Sequence, residues 1–157
     1  MKIKIISGGQ TGIDRLALEV ARQEGLTTGG NAPRYYMTDA GPDSSLKAFG
    51  LKETLSWEYP PRTKQNVFDS DGTILFGDME SRGCRLTIKI CERMKKPYLI
   101  NPRTPGPILE FVKENNIKVL NIAGNRMKNL SSIFYDETKI LLGIVFHEFK
   151  SREESYE

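Results

Sequence analysis

The 157-residue chain has one histidine, two cysteines and no apolar run long enough to cross a bilayer, and each shortage removes a class of function. His147 stands near the end of a predicted helix, far in sequence from Cys84 and Cys91, and no paired carboxylates occur at ligand spacing. A tetrahedral zinc site therefore cannot be assembled. No serine framed by glycines lies near that histidine in sequence, so no Ser-His-acid triad is visible either. Cys84 and Cys91 are seven residues apart in one predicted helix, two turns from each other, which is too far for a disulfide within a regular helix. They read as reduced thiols of a cytoplasmic protein. The greasiest stretch, Leu141 to Phe146, fits a core element and falls far short of the roughly 20 residues of a membrane span. Met1 to Lys4 leads at once into a strand, without the pattern of a signal peptide. Also missing are the spacing of the dinucleotide fingerprint and the Lys-Ser or Lys-Thr ending of a P-loop, which argues against an energy-coupled enzyme.

Charge is nearly balanced, 23 Lys and Arg against 20 Asp and Glu for a net +3, with the signs interspersed and no basic arm. That pattern suits a small anionic ligand better than nucleic acid. The length suits one domain, taken as residues 1–150, with an acidic flexible tail at 151–157.

Apolar runs alternate with helical patterns along the chain. Strands are predicted over 2–7, 26–30, 73–77, 97–100 and 118–123, and helices over 13–24, 63–68, 82–93, 107–115 and 130–146. The first helix has an apolar stripe of Ile13, Leu16, Ala17, Val20 and Ala21 and ends before Gly25. Residues 31–61 look irregular, broken at Pro33, Gly41, Pro42, Pro60 and Pro61, with one helical turn near Ser45 to Phe49. Five aromatics there, Tyr35, Tyr36, Phe49, Trp57 and Tyr59, argue against disorder and for a wall of the ligand pocket. Strand and crossover helix in repetition predict an α/β, Rossmann-like three-layer fold, a mostly parallel sheet with helices on both faces. Ligands of such folds sit beyond the carboxyl ends of the strands. Glycines and polar residues cluster at four of those ends: Ser7 to Gly12, Gly77 to Ser81, Asn101 to Thr104 and Gly124 to Arg126.

The first cluster is the richest. Gly8, Gly9, Gln10, Thr11 and Gly12 lie between a β-branched strand and a helix that opens with Ile13, Asp14 and Arg15. Glycines permit close approach of an anion, and first-turn N–H groups with the positive helix end favour phosphate. Asp14 suits a helix N-terminus through the dipole alone, whereas Arg15 there needs an anion, from the ligand or from a partner carboxylate. After the central strand come Gly77, Asp78, Glu80, Ser81 and Gly83. Ser81 either caps the next helix or touches ligand. Asp78 and Glu80 either meet amino and ring N–H donors, hold a metal with phosphate, or solvate the surface. Asn31, at the head of the irregular segment, and the loop cations Arg103 and Arg126 complete the candidate set, with Arg34, Arg62, Lys64 and Arg82 as further anion contacts. Asp69 and Asp71 belong to the amino edge and a turn role.

Ser7 to Arg15, the Gly29-Gly30 pair, Thr63 to Val67, Asp71 to Gly77 and Asn121 to Arg126 together resemble the molybdenum cofactor carrier family. This is a circularly permuted branch of the Rossmann-like superfamily that includes cytokinin-activating phosphoribohydrolases. The resemblance implies a homo-oligomer, a tetramer, that binds molybdenum cofactor (molybdopterin), a phosphorylated pterin dithiolene, and stores it unchanged for insertion or acceptor proteins. Within that ligand the phosphate would suit Gly8 to Gly12 and the pterin donors Asp78 or Glu80, with the reverse orientation as the alternative. Enzymatic relatives carry a Pro-Gly-Gly-x-Gly-Thr loop, absent at Gly77 to Gly83. The alternatives are nucleoside-monophosphate hydrolysis through Glu80 and Arg82, and a nucleotide-sensing module.

Overall fold

The computed structural model describes residues 2–155. Strands β1 (Lys4–Ile6), β2 (Thr27–Ala32), β5 (Leu51–Glu53), β6 (Gly72–Phe76), β7 (Tyr98–Ile100) and β8 (Val119–Gly124) form one sheet in the order β5-β2-β1-β8-β6-β7. Every neighbouring pair in it is parallel. The remaining strands, β3 (Met37–Thr38) and β4 (Gly41–Pro42), make a separate antiparallel hairpin. The helices are α1 (Ile13–Gln23), α2 (Tyr59–Asp69), α3 (Arg82–Met94), α4 (Pro105–Glu114) and α5 (Ser132–Glu154).

Parallel strands need crossovers, and the helices supply them in two layers. Helices α1, α4 and α5 pack together, while α2 packs with α3. The first group shares the large core with the sheet, through Ile5, Leu16, Phe76, Leu120 and Phe146 among others. Val67, Ile90 and Cys91 form the smaller core at α2 and α3. Strand β6 is buried along its whole length, as a central strand covered on both faces must be. At its amino end the Asp71 carboxylate accepts from the N–H groups of Lys118 and Val119, the turn role expected of it. Because all six strands run the same way, the loops after β1, β6, β7 and β8 gather on one edge, as the pattern predicted.

The 31–61 segment departs from expectation. The helical turn expected near Ser45 to Phe49 is present as a 3-10 stretch over Ser44–Phe49, but the rest is not irregular throughout: β2 extends to Ala32, the β3–β4 hairpin follows, and β5 adds an edge strand. Leu46, Phe49 and Leu51 pack with Leu18 and Ala32 as a third cluster. Such short pieces carry too little periodicity to be read as elements. The aromatic wall does not form as a unit, since Phe49 is core while Tyr35 and Trp57 are exposed. Helix α2 starts at Tyr59, its first-turn prolines costing no hydrogen bond. Helix α5 continues past Phe146 to Glu154, so 151–154 of the expected tail are helical; residues 156 and 157 lie outside the described residues. Buried Phe149 and the Arg152–Glu148 pair supply reasons to continue.

Phe146 is fully buried and stacks on Phe149 with centroids 6.0 Å apart. Phe146→Ala should cost about 3–5 kcal/mol of stability, read from the urea midpoint at unchanged slope.

Candidate functional site

The turn after β1 is built around an anion of the protein's own. Asp14, in the first turn of α1, is 4% exposed. Its carboxylate accepts from Arg62 of α2, whose Nη1 lies 3.0 Å away, and the backbone N–H groups of Gly8 and Gln10 help to hold its charge. Ser7 donates its hydroxyl to the Asp14 carbonyl at 2.8 Å. Burial pushes the Asp14 carboxyl up from its ordinary value; the Arg62 charge and these hydrogen bonds pull it down and offset part of that rise. The Arg62 guanidinium rests on Gly8, where an added Cβ would stand 1.7 Å from Nη1. Gly12 has φ +91, and a Cβ there would meet the Asn125 carbonyl oxygen at 2.4 Å and the Met127 nitrogen at 2.6 Å. The turn is thus pressed against the end of β8, and Ile13 donates its N–H to the Asn125 carbonyl.

A second wall rises after β6. Gly77, at φ +127, donates its N–H to Asn101 Oδ1 and accepts from Asn101 Nδ2, both at 2.8 Å. The Asp78 N–H donates to Asn125 Oδ1, so two asparagines clamp this loop. Asp78 then accepts from the Glu80 N–H, and Ser81 caps α3 by accepting from the Cys84 N–H. Cys84 and Cys91 are free and buried, and burial raises both thiols, the opposite of a thiolate activated at a helix start.

On the α1 side of the turn an open cleft of about 660 Å³ is lined by Gly9, Thr11, Gly12 and Arg15, the β3–β4 hairpin at Asp39 and Ala40, and Lys128 and Tyr135. Gln10 ties the turn to the hairpin: its Oε1 accepts from the Thr11 N–H at 3.0 Å and the Asp39 N–H at 2.7 Å. Its buried Nε2 has no partner among the described residues. Asp39 takes Arg126 at 2.9 Å and Lys128 at 3.4 Å. Arg15 pairs with Asp43 and Glu19, bonds Ser45 and lies over Phe49.

The circularly permutated YpsA SLOG family matches residues 5–145 of this sequence. The chain belongs to that family. Among solved structures, it is similar to a protein from Syntrophus aciditrophicus SB provisionally named a molybdenum carrier, at 35% identity, covering 92% of this chain and 94% of that one, with a TM-score of 0.82. No curated protein matches the chain.

In this permuted YpsA SLOG chain the expected residues divide. Gly9, Thr11, Gly12 and Arg15 line the cleft. Gly8, Gln10 and Asp14 are buried in the turn and do not line the cleft, and Arg126 bonds Asp39, which does. Gly77, Asp78, Glu80, Ser81 and Gly83 make the separate wall at β6 and α3. Asn31 instead locks to α2, bonding Asn66 and Asp69. Arg103 turns to α5, bonding Thr138 and Glu137 over the Phe134 ring. Asp14 pairs with Arg62 across 48 residues, and not with its neighbour Arg15. Tyr59, Arg62, Asn101 and Asn125 sit among expected clusters, but nothing in their local sequence assigns their partners. The one usable signal was chemical: a buried Asp14 requires a cation.

Arg62→Met should destabilise the protein by about 3–5 kcal/mol at neutral pH, because it leaves a buried carboxylate unpaired. Losing the cation raises the folded pKa of Asp14 further above its unfolded value of about 3.9, so stability present below that value is lost as pH rises through the folded pKa. The deficit of the variant should therefore be larger at pH 7 than at pH 4.5 in parallel urea titrations; a pH-independent deficit contradicts the assignment. Gly12→Ala should cost about 2–4 kcal/mol through positive φ and backbone overlap, measured the same way.

Proposed function

We propose that the chain is a carrier that binds molybdenum cofactor at the carboxyl edge of the sheet and releases it unchanged. The observation that carries this reading is the extended similarity to a protein provisionally named a molybdenum carrier. The site chemistry is compatible with such cargo. The cleft falls in the range of about 300–1,000 Å³ typical of small-molecule sites. Carboxylates of Glu19, Asp39 and Asp43 line the cleft and have lone pairs to offer amino and ring N–H groups of a pterin. Cys84 and Cys91 are both buried, and neither lines the cleft. Among the described residues no three His, Cys, Asp or Glu side chains come together as metal ligands. The metal would therefore keep the dithiolene it arrives with, and the protein would act by binding and by excluding water.

Hydrolysis through Glu80 and Arg82 has less support, since both are exposed on the α3 wall, without the desolvation that general-acid work uses. No helix among the described residues is long and apolar enough to cross a membrane. Self-association, as a tetramer, and hand-over to acceptor proteins belong to the same proposal; exposed Ile133, Ile140 and Ile144 along α5 offer an apolar face for the former.

Protein purified from a cofactor-competent host should carry pterin phosphate and molybdenum, and protein from a cofactor-deficient host should not. Ala40→Trp, which adds bulk at the cleft without disturbing the core, should cut the loaded fraction at least tenfold while the melting temperature holds. Equal, empty preparations from both hosts, with no saturable binding of added cofactor, would overturn the reading.

A further inference from the structure

The glycine turn, the expected seat for a phosphate, already has its anion. The N–H groups of Gly8 and Gln10 help to hold the charge of the Asp14 carboxylate, and that of Ile13 is bonded to the Asn125 carbonyl. An incoming phosphate must find other donors. Two guanidiniums converge nearby: Arg62 lies 5.5 Å and Arg126 5.2 Å from the centroid of the same Tyr59 ring. Each has five N–H donors, and among the described residues each makes one hydrogen bond, Arg62 to Asp14 and Arg126 to Asp39. The Arg62 Nε is buried and has no acceptor. Charge is also unspent, because Asp39 is shared between Arg126 and Lys128. Three cations thus face two carboxylates, Asp14 and Asp39. The first turn of α2 cannot contribute backbone donors at Pro60 and Pro61, so side chains must serve.

We propose that Arg62 and Arg126, gathered on the Tyr59 ring, form an oxyanion clamp that takes the phosphate monoester end of the ligand, leaving Asp14 in the turn. Planar guanidinium forks match phosphate oxygens in pairs, and stacking on an aromatic face orients them without consuming their N–H groups. Arg62 is held from behind by Asp14 and is the fixed jaw. Arg126, with 38% of its side chain exposed, is the mobile one and exchanges Asp39 for phosphate. The identity of the ligand rests on the carrier reading; the clamp itself requires only a phosphate monoester.

Calorimetric titration with inorganic phosphate and with phenyl phosphate tests it. The natural chain should bind both saturably, the monoester at least as tightly. Arg126→Ala should weaken both by about tenfold or more with an unchanged melting temperature, and Arg126→Lys should recover only part of the loss. Arg93→Ala removes an exposed arginine in the last turn of α3, outside the clamp, and should bind as the natural chain does. Absence of saturable binding, wild-type binding by Arg126→Ala, or an equal loss in Arg93→Ala overturns the clamp. If Arg126→Ala loads cofactor fully in a competent host, the clamp fails and the carrier reading stands. If phosphate binding depends on Arg126 but no cofactor copurifies, the carrier reading fails and the clamp stands.

Discussion

The ion pair between Asp14 and Arg62 is the constraint on which the edge of this sheet is arranged. A carboxylate this deeply buried is costly unless it is paired, and here one guanidinium, helped by the backbone N–H groups of Gly8 and Gln10, offsets the cost. The arrangement resembles an anion-binding turn with the anion covalently supplied. It determines the shape of the turn from Ser7 to Gly12, and it fastens α2 to the start of α1 across 48 residues of sequence. Breaking it leaves an unpaired buried charge on one side or the other, a larger loss than the pair's own net gain.

Other contacts extend from that centre. Gly12 has to lack a side chain because the end of β8 lies against it, so the turn and the Asn125 loop move as one body. Asn125 passes the connection to Asp78, and Asn101 holds Gly77 from the next strand end. On the opposite side Gln10 reaches the hairpin through the Asp39 N–H, and Asp39 fixes Arg126 and Lys128. Four strand ends that are distant in sequence become one connected polar network, in which each member depends on its neighbours being satisfied. Rigidity of this kind suits the proposed carrier role, since less ordering has to be paid at binding.

Much of the architecture could be read from the sequence because its cause is local. The unbroken apolar run of β6, the stripe on α1 and the cap at Ser81 depend on neighbours within a few residues, and they appear where expected. Strand direction and the gathering of glycine loops on one edge followed from alternation of strands and helices. The segment 31–61 resisted the same reading because its pieces are stabilised by distant partners: Leu46 and Phe49 by Leu18, Asp39 by Gln10, Asn31 by Asn66. Within the site, residue types were legible and pairings were not. Asp14 was explicable from the helix dipole alone, and its partner Arg62 is a cation from another helix that no spacing rule connects to it. Arg15, beside it in sequence, faces away into the cleft and finds Asp43 and Glu19 instead.

The most direct measurement is a crystal structure of the protein with a bound phosphate monoester. The account predicts the phosphate against Arg62 and Arg126 over Tyr59, with the Asp14 carboxylate still in its place in the turn and paired with Arg62. A phosphate seated in the Gly8 to Gly12 turn with Asp14 displaced from it would contradict the account.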